Sequence, residues 1–409
     1  MNDEKPMPYY RRQMERLLVE ALKTHPVVYL AGPRSAGKTT FAREVCCGNY
    51  VGFNSPFLLA SALSAPETFL QSLPENELNI VDDAHFAAGL FQRPESMSEN
   101  RTLLIGTVGL PMLCDQGTSL ERHVKELTLL PFSAAERRRV DTNFLRRLLV
   151  GKLTPRTFDA LRLAEEIEGA TFPDLALRPE INREQWFDGF LSEILQRDIQ
   201  SAVGIRNPER IVPLLVSLAT RVGGLLNDAS VIKETGLDAK TYAKYKAAVM
   251  HTFLTFEIES WSGPSRSKKR VVRQSKIYFT DTNLLCYVTR RGMRDILDGD
   301  PVTAGRLFEN FIATELVKQA AAIHGTQIRH FSLSDGKEVD FTIEDEYGAA
   351  VGIDVSFKTV LSNRDFGNLR AMRDALGRNF NRGFIIYAGT EQTAFPDDLW
   401  AIPANALWE

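Results

Sequence analysis

Apolar positions change their rhythm along this chain. In the first quarter they come as short continuous runs: Val27-Val28-Tyr29-Leu30, Leu78-Asn79-Ile80-Val81 and Leu103-Leu104-Ile105. Runs of this length and branching predict strands buried on both faces, as in a parallel sheet covered by helices. From 142 to 205 apolar residues recur at helical spacing between Arg- and Glu-rich faces, with Pro155, Gly169 and Pro173 marking loops. The next stretch predicts helices at 211–222, 230–235 and 239–253, the last N-capped by Asp238, and then strands at 256–260 and 276–280. In the last third a helix at 305–322 leads into strands at 327–332, 338–343 and 349–357. A helix at 363–376 and a strand at 384–387 close the pattern.

With 409 residues, two or three domains are expected, and 44% hydrophobic with 25% charged residues is an ordinary globular balance. Net charge is −3, so any nucleic-acid surface must be a local patch. Cys46, Cys47, Cys114 and Cys286 have no zinc-site spacing and read as reduced thiols. No secretory signal is visible in the charged N-terminus, and the uncharged stretch 45–66 is too broken by Gly, Asn and Pro to span a membrane. A cytoplasmic location without membrane contact is expected.

The strand at 27–30 runs straight into Gly32-Pro33-Arg34-Ser35-Ala36-Gly37-Lys38-Thr39, with Thr40 opening a helical pattern. Strand, glycine-bracketed loop and helix N-terminus together aim backbone N–H groups at a phosphate. Lys38 is then expected on the β/γ-phosphates of ATP and the Thr39 hydroxyl on Mg²⁺. Asp82, ending the strand at 78–81, is the second expected Mg²⁺ residue, and Asp83 the group that orients or deprotonates the attacking water. Thr107, after the strand at 103–105, is a candidate contact to the γ-phosphate or the water, and Arg122 a candidate arginine finger. No Asn-Lys-x-Asp tetrad occurs, which favours ATP over GTP.

At these residues the chain resembles bacterial and archaeal AAA-type ATPases that carry a C-terminal domain of unknown function. The likeness runs through Tyr9-Tyr10-Arg11-Arg12, the loop at 32–39, Asp82-Asp83, Leu130-Pro131-Phe132-Ser133 with Glu136, and Gln196-Arg197-Asp198-Ile199. It extends to Glu309-Asn310-Phe311 and Glu338-Val339-Asp340-Phe341. The chain departs from that pattern at Asp83, where Glu is usual, at His85, where Gln is frequent, and at Glu121-Arg122, where Gly-Arg is common. The resemblance implies an AAA-type core at 1–140 and a helical lid at 141–205.

Three helices followed by a hairpin at 206–285 is the winged-helix order. Between 261 and 276 lie Arg266, Lys268, Lys269, Arg270, Arg273 and Lys276 with no acid among them. With Lys240 and Lys244 on the third helix, this basic run suits phosphate contacts on duplex DNA. The final part, 286–409, resembles the restriction-endonuclease-like fold, which implies an acid set of Glu309, Asp340 and Asp354. Its acid-x-lysine motif is imperfect: Ser356 stands where lysine is expected, leaving Lys358, two residues further on the same strand face, as the candidate.

The sequence thus predicts an α/β protein: a P-loop AAA-type core with helical lid, a winged-helix-like module, and a nuclease-like α/β domain that is expected to be degenerate. Two functions fit: an ATP-hydrolysing, DNA-engaging protein that can form a homo-oligomer, and an ATP-gated switch or scaffold acting on protein partners.

Overall fold

The structure, a computed structural model, describes residues 8–92, 101–113, 124–150, 153–160, 162–262, 272–293, 299–344 and 348–409. Arg122, Arg266, Lys268, Lys269 and Arg270 lie outside these residues. The chain forms two compact units. One comprises Met1–Phe132, Ala170–Leu214 and Asp238–Leu254; the other comprises Ser133–Gly169, Leu215–Leu237 and Thr255–Glu409. The division falls inside both segments expected as single modules, 141–205 and 206–285.

In the first unit, β1 (Val27–Ala31), β2 (Asn49–Gly52), β3 (Asn79–Asp82), β4 (Thr102–Ile105) and β5 (Val124–Thr128) form one sheet in the order β2-β3-β4-β1-β5. Every pairing is parallel. β1, β3 and β4 are buried along their whole length, which is why they read as continuous apolar runs. The outer strands β2 and β5 are only partly buried, so their patterns carry little apolar signal. Tyr29, Val81 and Leu104 anchor the core, and Tyr29 donates to Val108 O at 2.5 Å. Burying each such side chain contributes about 1.5–3 kcal/mol.

Further along the first unit, helix Arg183–Glu193 starts at Asn182, whose side chain accepts from Gln185 N. Trp186 stacks on Phe190 at 5.0 Å between ring centres, and Phe172 packs on both. The helix then widens into a π-helical stretch, Ile194–Ala202, which carries Asp198. Helix Ala239–His251 is capped by Asp238, which accepts from Thr241 N at 2.9 Å as expected.

The second unit is built on a mixed sheet ordered β6-β13-β14-β12-β11-β10-β9, with β6 at Arg156–Thr157. β9 (Ile328–Ser332), β10 (Glu338–Glu344) and β11 (Ala350–Ser356) are antiparallel neighbours. β12 (Phe380–Tyr387) pairs parallel with β11 and β14 (Leu399–Pro403), and β13 (Glu391–Phe395) folds back on β14. Helices Pro301–Ala321 and Gly367–Leu376 occupy the expected places in the α-β-β-β-α-β order. β7 (Thr255–Ile258) and β8 (Lys276–Phe279) pair antiparallel in a two-stranded sheet. Among the described residues, no helix is long and apolar enough to cross a membrane.

Candidate nucleotide site and a carboxylate centre

The loop after β1 can take its shape only with glycines at two points. Gly32 has φ +151°, and a Cβ there would lie 2.1 Å from Leu129 O. Gly37 has φ +87° and immediately precedes helix Lys38–Val45. Lys38 is buried, and its Nζ donates to Gly32 O at 2.9 Å and Pro33 O at 2.8 Å. Burial pulls its pKa down to about 8, against the opposing pull of Asp198 and Asp82. The ammonium therefore sits folded on carbonyls of its own loop.

Thr39 Oγ1 donates to Asp82 Oδ2 at 2.6 Å, and Tyr50 OH donates to the same oxygen at 2.7 Å. The two residues expected to share Mg²⁺ are thus adjacent although 43 positions apart in sequence. Both offer hard oxygen donors, the chemistry Mg²⁺ takes, so the residue set fits the ion. Asp83 follows with φ +59°, a left-handed conformation for a non-glycine residue, and its N–H donates to Asp82 Oδ1 at 2.9 Å. Thr107 does not stand alone: its hydroxyl lies 3.0 Å from His85 Nε2, deep in the unit.

Two residues without an expected role, Asp198 and Arg12, complete this constellation. Arg34 donates from Nη2 to Asp198 Oδ1 at 2.6 Å and from Nε to Oδ2 at 3.1 Å. His85 Nε2 stands 3.5 Å from Asp198 Oδ1. Burial would raise the Asp198 pKa, but the hydrogen bonds from His85 and Arg34 outweigh it and hold the carboxyl below its ordinary range. Arg12 donates from Nη1 to Ala36 O at 3.1 Å and from Nη2 to Leu130 O at 2.5 Å, stapling the loop to the segment after β5. Both had a signal, since each lies in a motif of the resemblance, yet neither lies near the loop in sequence. Of the other expected residues, Ser35 adopts φ +58°, Thr40 is exposed on the helix, and Lys240 and Lys244 are exposed on theirs, with Lys244 Nζ 3.3 Å from Gly204 O.

In the second unit the expected acids do gather. Alternation along β10 puts Glu338 and Asp340 on one face, opposite buried Val339 and Phe341. Asn310, next to Glu309 on helix Pro301–Ala321, accepts from Phe279 N at 2.8 Å and donates to Phe279 O at 3.2 Å. That side chain holds β8 against the helix and brings Lys276 and Tyr278 to Glu309. Lys276 Nζ lies 2.5 Å from Glu338 Oε1, 2.7 Å from Asp340 Oδ1 and 3.4 Å from Glu309 Oε1. Asp354 Oδ1 lies 3.4 Å from Asp340 N. Lys358, the sequence candidate for the missing lysine, is instead an exposed residue paired with Asp365. The strand continues past Ser356 into a loop, so alternation does not carry Lys358 back to the acids.

Residues 24–137 match the family described as AAA domain. Residues 162–295 and 304–407 match two families, each described as a domain of unknown function (DUF8612 and DUF4143). With the parallel sheet and the loop geometry, these matches give the chain an AAA-type P-loop domain and, at its C-terminal end, a domain of unknown function. The uncharacterized proteins Mb2031c of Mycobacterium bovis and Rv2008c of Mycobacterium tuberculosis are each 25% identical to it over 414 aligned positions, 97% of this chain and 84% of theirs. Among solved structures, the Walker-type ATPase paby2304 of Pyrococcus abyssi aligns at 14% identity and TM-score 0.40, covering 69% of this chain and 96% of its own. AMPPCP-bound DnaA of Aquifex aeolicus aligns at 12% identity and TM-score 0.25, covering 59% and 88%.

Proposed function

We propose that this chain binds ATP with Mg²⁺, hydrolyses it, and uses the nucleotide state to control contact with duplex DNA. The observation that carries the ATP reading is the 2.6 Å contact between Thr39 and Asp82 beside a loop held open by Gly32 and Gly37. The loop N–H groups and the N-terminus of helix Lys38–Val45 receive the phosphates. Lys38 exchanges its two loop carbonyls for β/γ-phosphate oxygens, a strong charge-assisted partner for a buried ammonium. Mg²⁺, when bound, neutralises charge on those oxygens. Asp83 orients the attacking water; its carboxylate is one methylene shorter than the usual Glu, which favours slow turnover. Thr107, set by His85, reads the γ-phosphate, and Arg122 acts as the arginine finger within a homo-oligomer.

Phosphate release and nucleotide binding test this directly. Lys38→Ala is expected to lower hydrolysis by about 10²–10³ and to weaken ATP binding. Asp83→Asn is expected to keep ATP while turnover stops. Parent-like hydrolysis in both variants would remove the site assignment. Support for the DNA half is the acid-free basic run Arg266, Lys268, Lys269, Arg270 and Arg273; Lys276, at its end, is buried among acids and is not available to phosphate. The competing function, a switch acting on protein partners, predicts no salt-sensitive duplex binding.

A further inference from the structure

The acid set of the second unit has a cation, and it comes from outside the expected motif. Lys276 stands on β8, 64 positions before Asp340, and its side chain is 1% exposed. An ammonium has three N–H donors, and here three carboxylates, Glu309, Glu338 and Asp340, lie within 3.4 Å of Nζ. Two of these carboxylates accept further donors. Tyr278 OH donates to Glu309 Oε1 at 2.7 Å, and Val355 N donates to Asp340 Oδ2 at 2.9 Å.

Nor can Lys276 readily withdraw. β8 is paired along β7, its Phe279 is clamped by Asn310, and Gly223 N donates to Ile277 O at 3.2 Å. Gly223 also lies so close that a Cβ on it would meet Glu309 Oε2 at 2.6 Å, which leaves the glutamate little room to turn away.

We propose that Lys276 is the resident cation of this centre, an ammonium standing between Glu309, Glu338 and Asp340 in the place a divalent ion would take. The C-terminal domain then binds no divalent metal while Lys276 is present. The electrostatics agree. Burial works against the Lys276 charge, but Asp340, Glu309 and Glu338 outweigh it and raise its pKa well above the ordinary value. Burial and then Asp340 raise Glu309 to about 7, and burial with Asp340 raises Asp354 well above the carboxylate range. Burial works against the Asp340 charge, but Lys276 outweighs it and holds that carboxyl below its ordinary value. With an ammonium already offsetting the carboxylate charge and occupying their inward oxygens, the centre offers a hard cation little to bind.

The proposal does not depend on ATP hydrolysis and is tested on the full chain without nucleotide. Mn²⁺ bound per chain is counted by electron paramagnetic resonance for the parent, Asp340→Asn, Lys276→Met, Lys276→Gln and the Lys276→Met/Asp340→Asn double variant. Parent and Asp340→Asn are expected to bind equally. Either Lys276 variant is expected to gain one Asp340-dependent ion, with affinity at least about tenfold above the parent. The double variant should lose it. An ion on the parent that Asp340→Asn removes would overturn the proposal, as would folded Lys276 variants, checked by circular dichroism, that gain none. If neither lysine variant folds, the comparison of parent with Asp340→Asn and with Glu338→Gln still decides. Asp340-dependent nicking of supercoiled plasmid by the parent would also overturn it.

Discussion

A buried carboxylate stays ionised only where donors replace its water, and Asp198 has such donors in Arg34 and His85. The bidentate Arg34 pair ties the phosphate loop to the π-helical stretch Ile194–Ala202. π-helical turns are costly and concentrate where a side chain must be aimed. Asp198→Asn keeps the size and removes the charge, leaving Arg34 with a weaker partner. Breaking such a pair costs about 3–5 kcal/mol, so a lower thermal midpoint and weaker ATP binding are expected. Unchanged melting and unchanged nucleotide affinity would show that the pair does not support the loop. In the sequence Asp198 stood out only as part of a family motif, because nothing local connects it to a loop 164 positions away. Lys276 was legible as one basic residue in a basic run, and only burial among acids sets it apart.

At the scale of elements, periodicity was a good guide wherever one environment covers a whole segment. β1, β3 and β4 are buried throughout, and Ala239–His251 carries its cap in the residue before it. Partly exposed strands such as β2 and β13 face mixed surroundings and carry no such pattern. The basic run belongs to this scale too, because phosphate binding depends on how many cations one segment presents. Replacing Lys268, Lys269 and Arg270 together with Ala should weaken duplex binding alike on all sequences. The salt slope should flatten by about 3 units, near 0.9 for each lost phosphate contact. Equal affinity and slope in parent and variant would move the module to a protein-contact role.

For the whole molecule, chain path matters more than segment order. The nucleotide-binding unit is assembled from Met1–Phe132, Ala170–Leu214 and Asp238–Leu254. A fragment of residues 1–140, the core read from sequence, lacks Asp198 beside Arg34 and lacks His251, whose O accepts from Gly109 N at 2.7 Å. That fragment is expected to melt lower than the full chain and to bind an ATP analogue at least about tenfold more weakly, near 1.4 kcal/mol or more. Equal affinity for a fluorescent ATP analogue would mean that the later segments contribute nothing to the site.

What the sequence determined alone is whatever depends on neighbours along the chain. The phosphate loop is local because consecutive N–H groups form it, and the acid-ended strand β3 is local because its burial is uniform. Alternation likewise put Glu338 and Asp340 on one face. The tertiary structure decided which distant charges meet. Arg34 finds Asp198, and the carboxylates find Lys276 rather than Lys358, because a buried charge takes the opposite charge that packing brings within hydrogen-bond reach, whatever its position in the sequence.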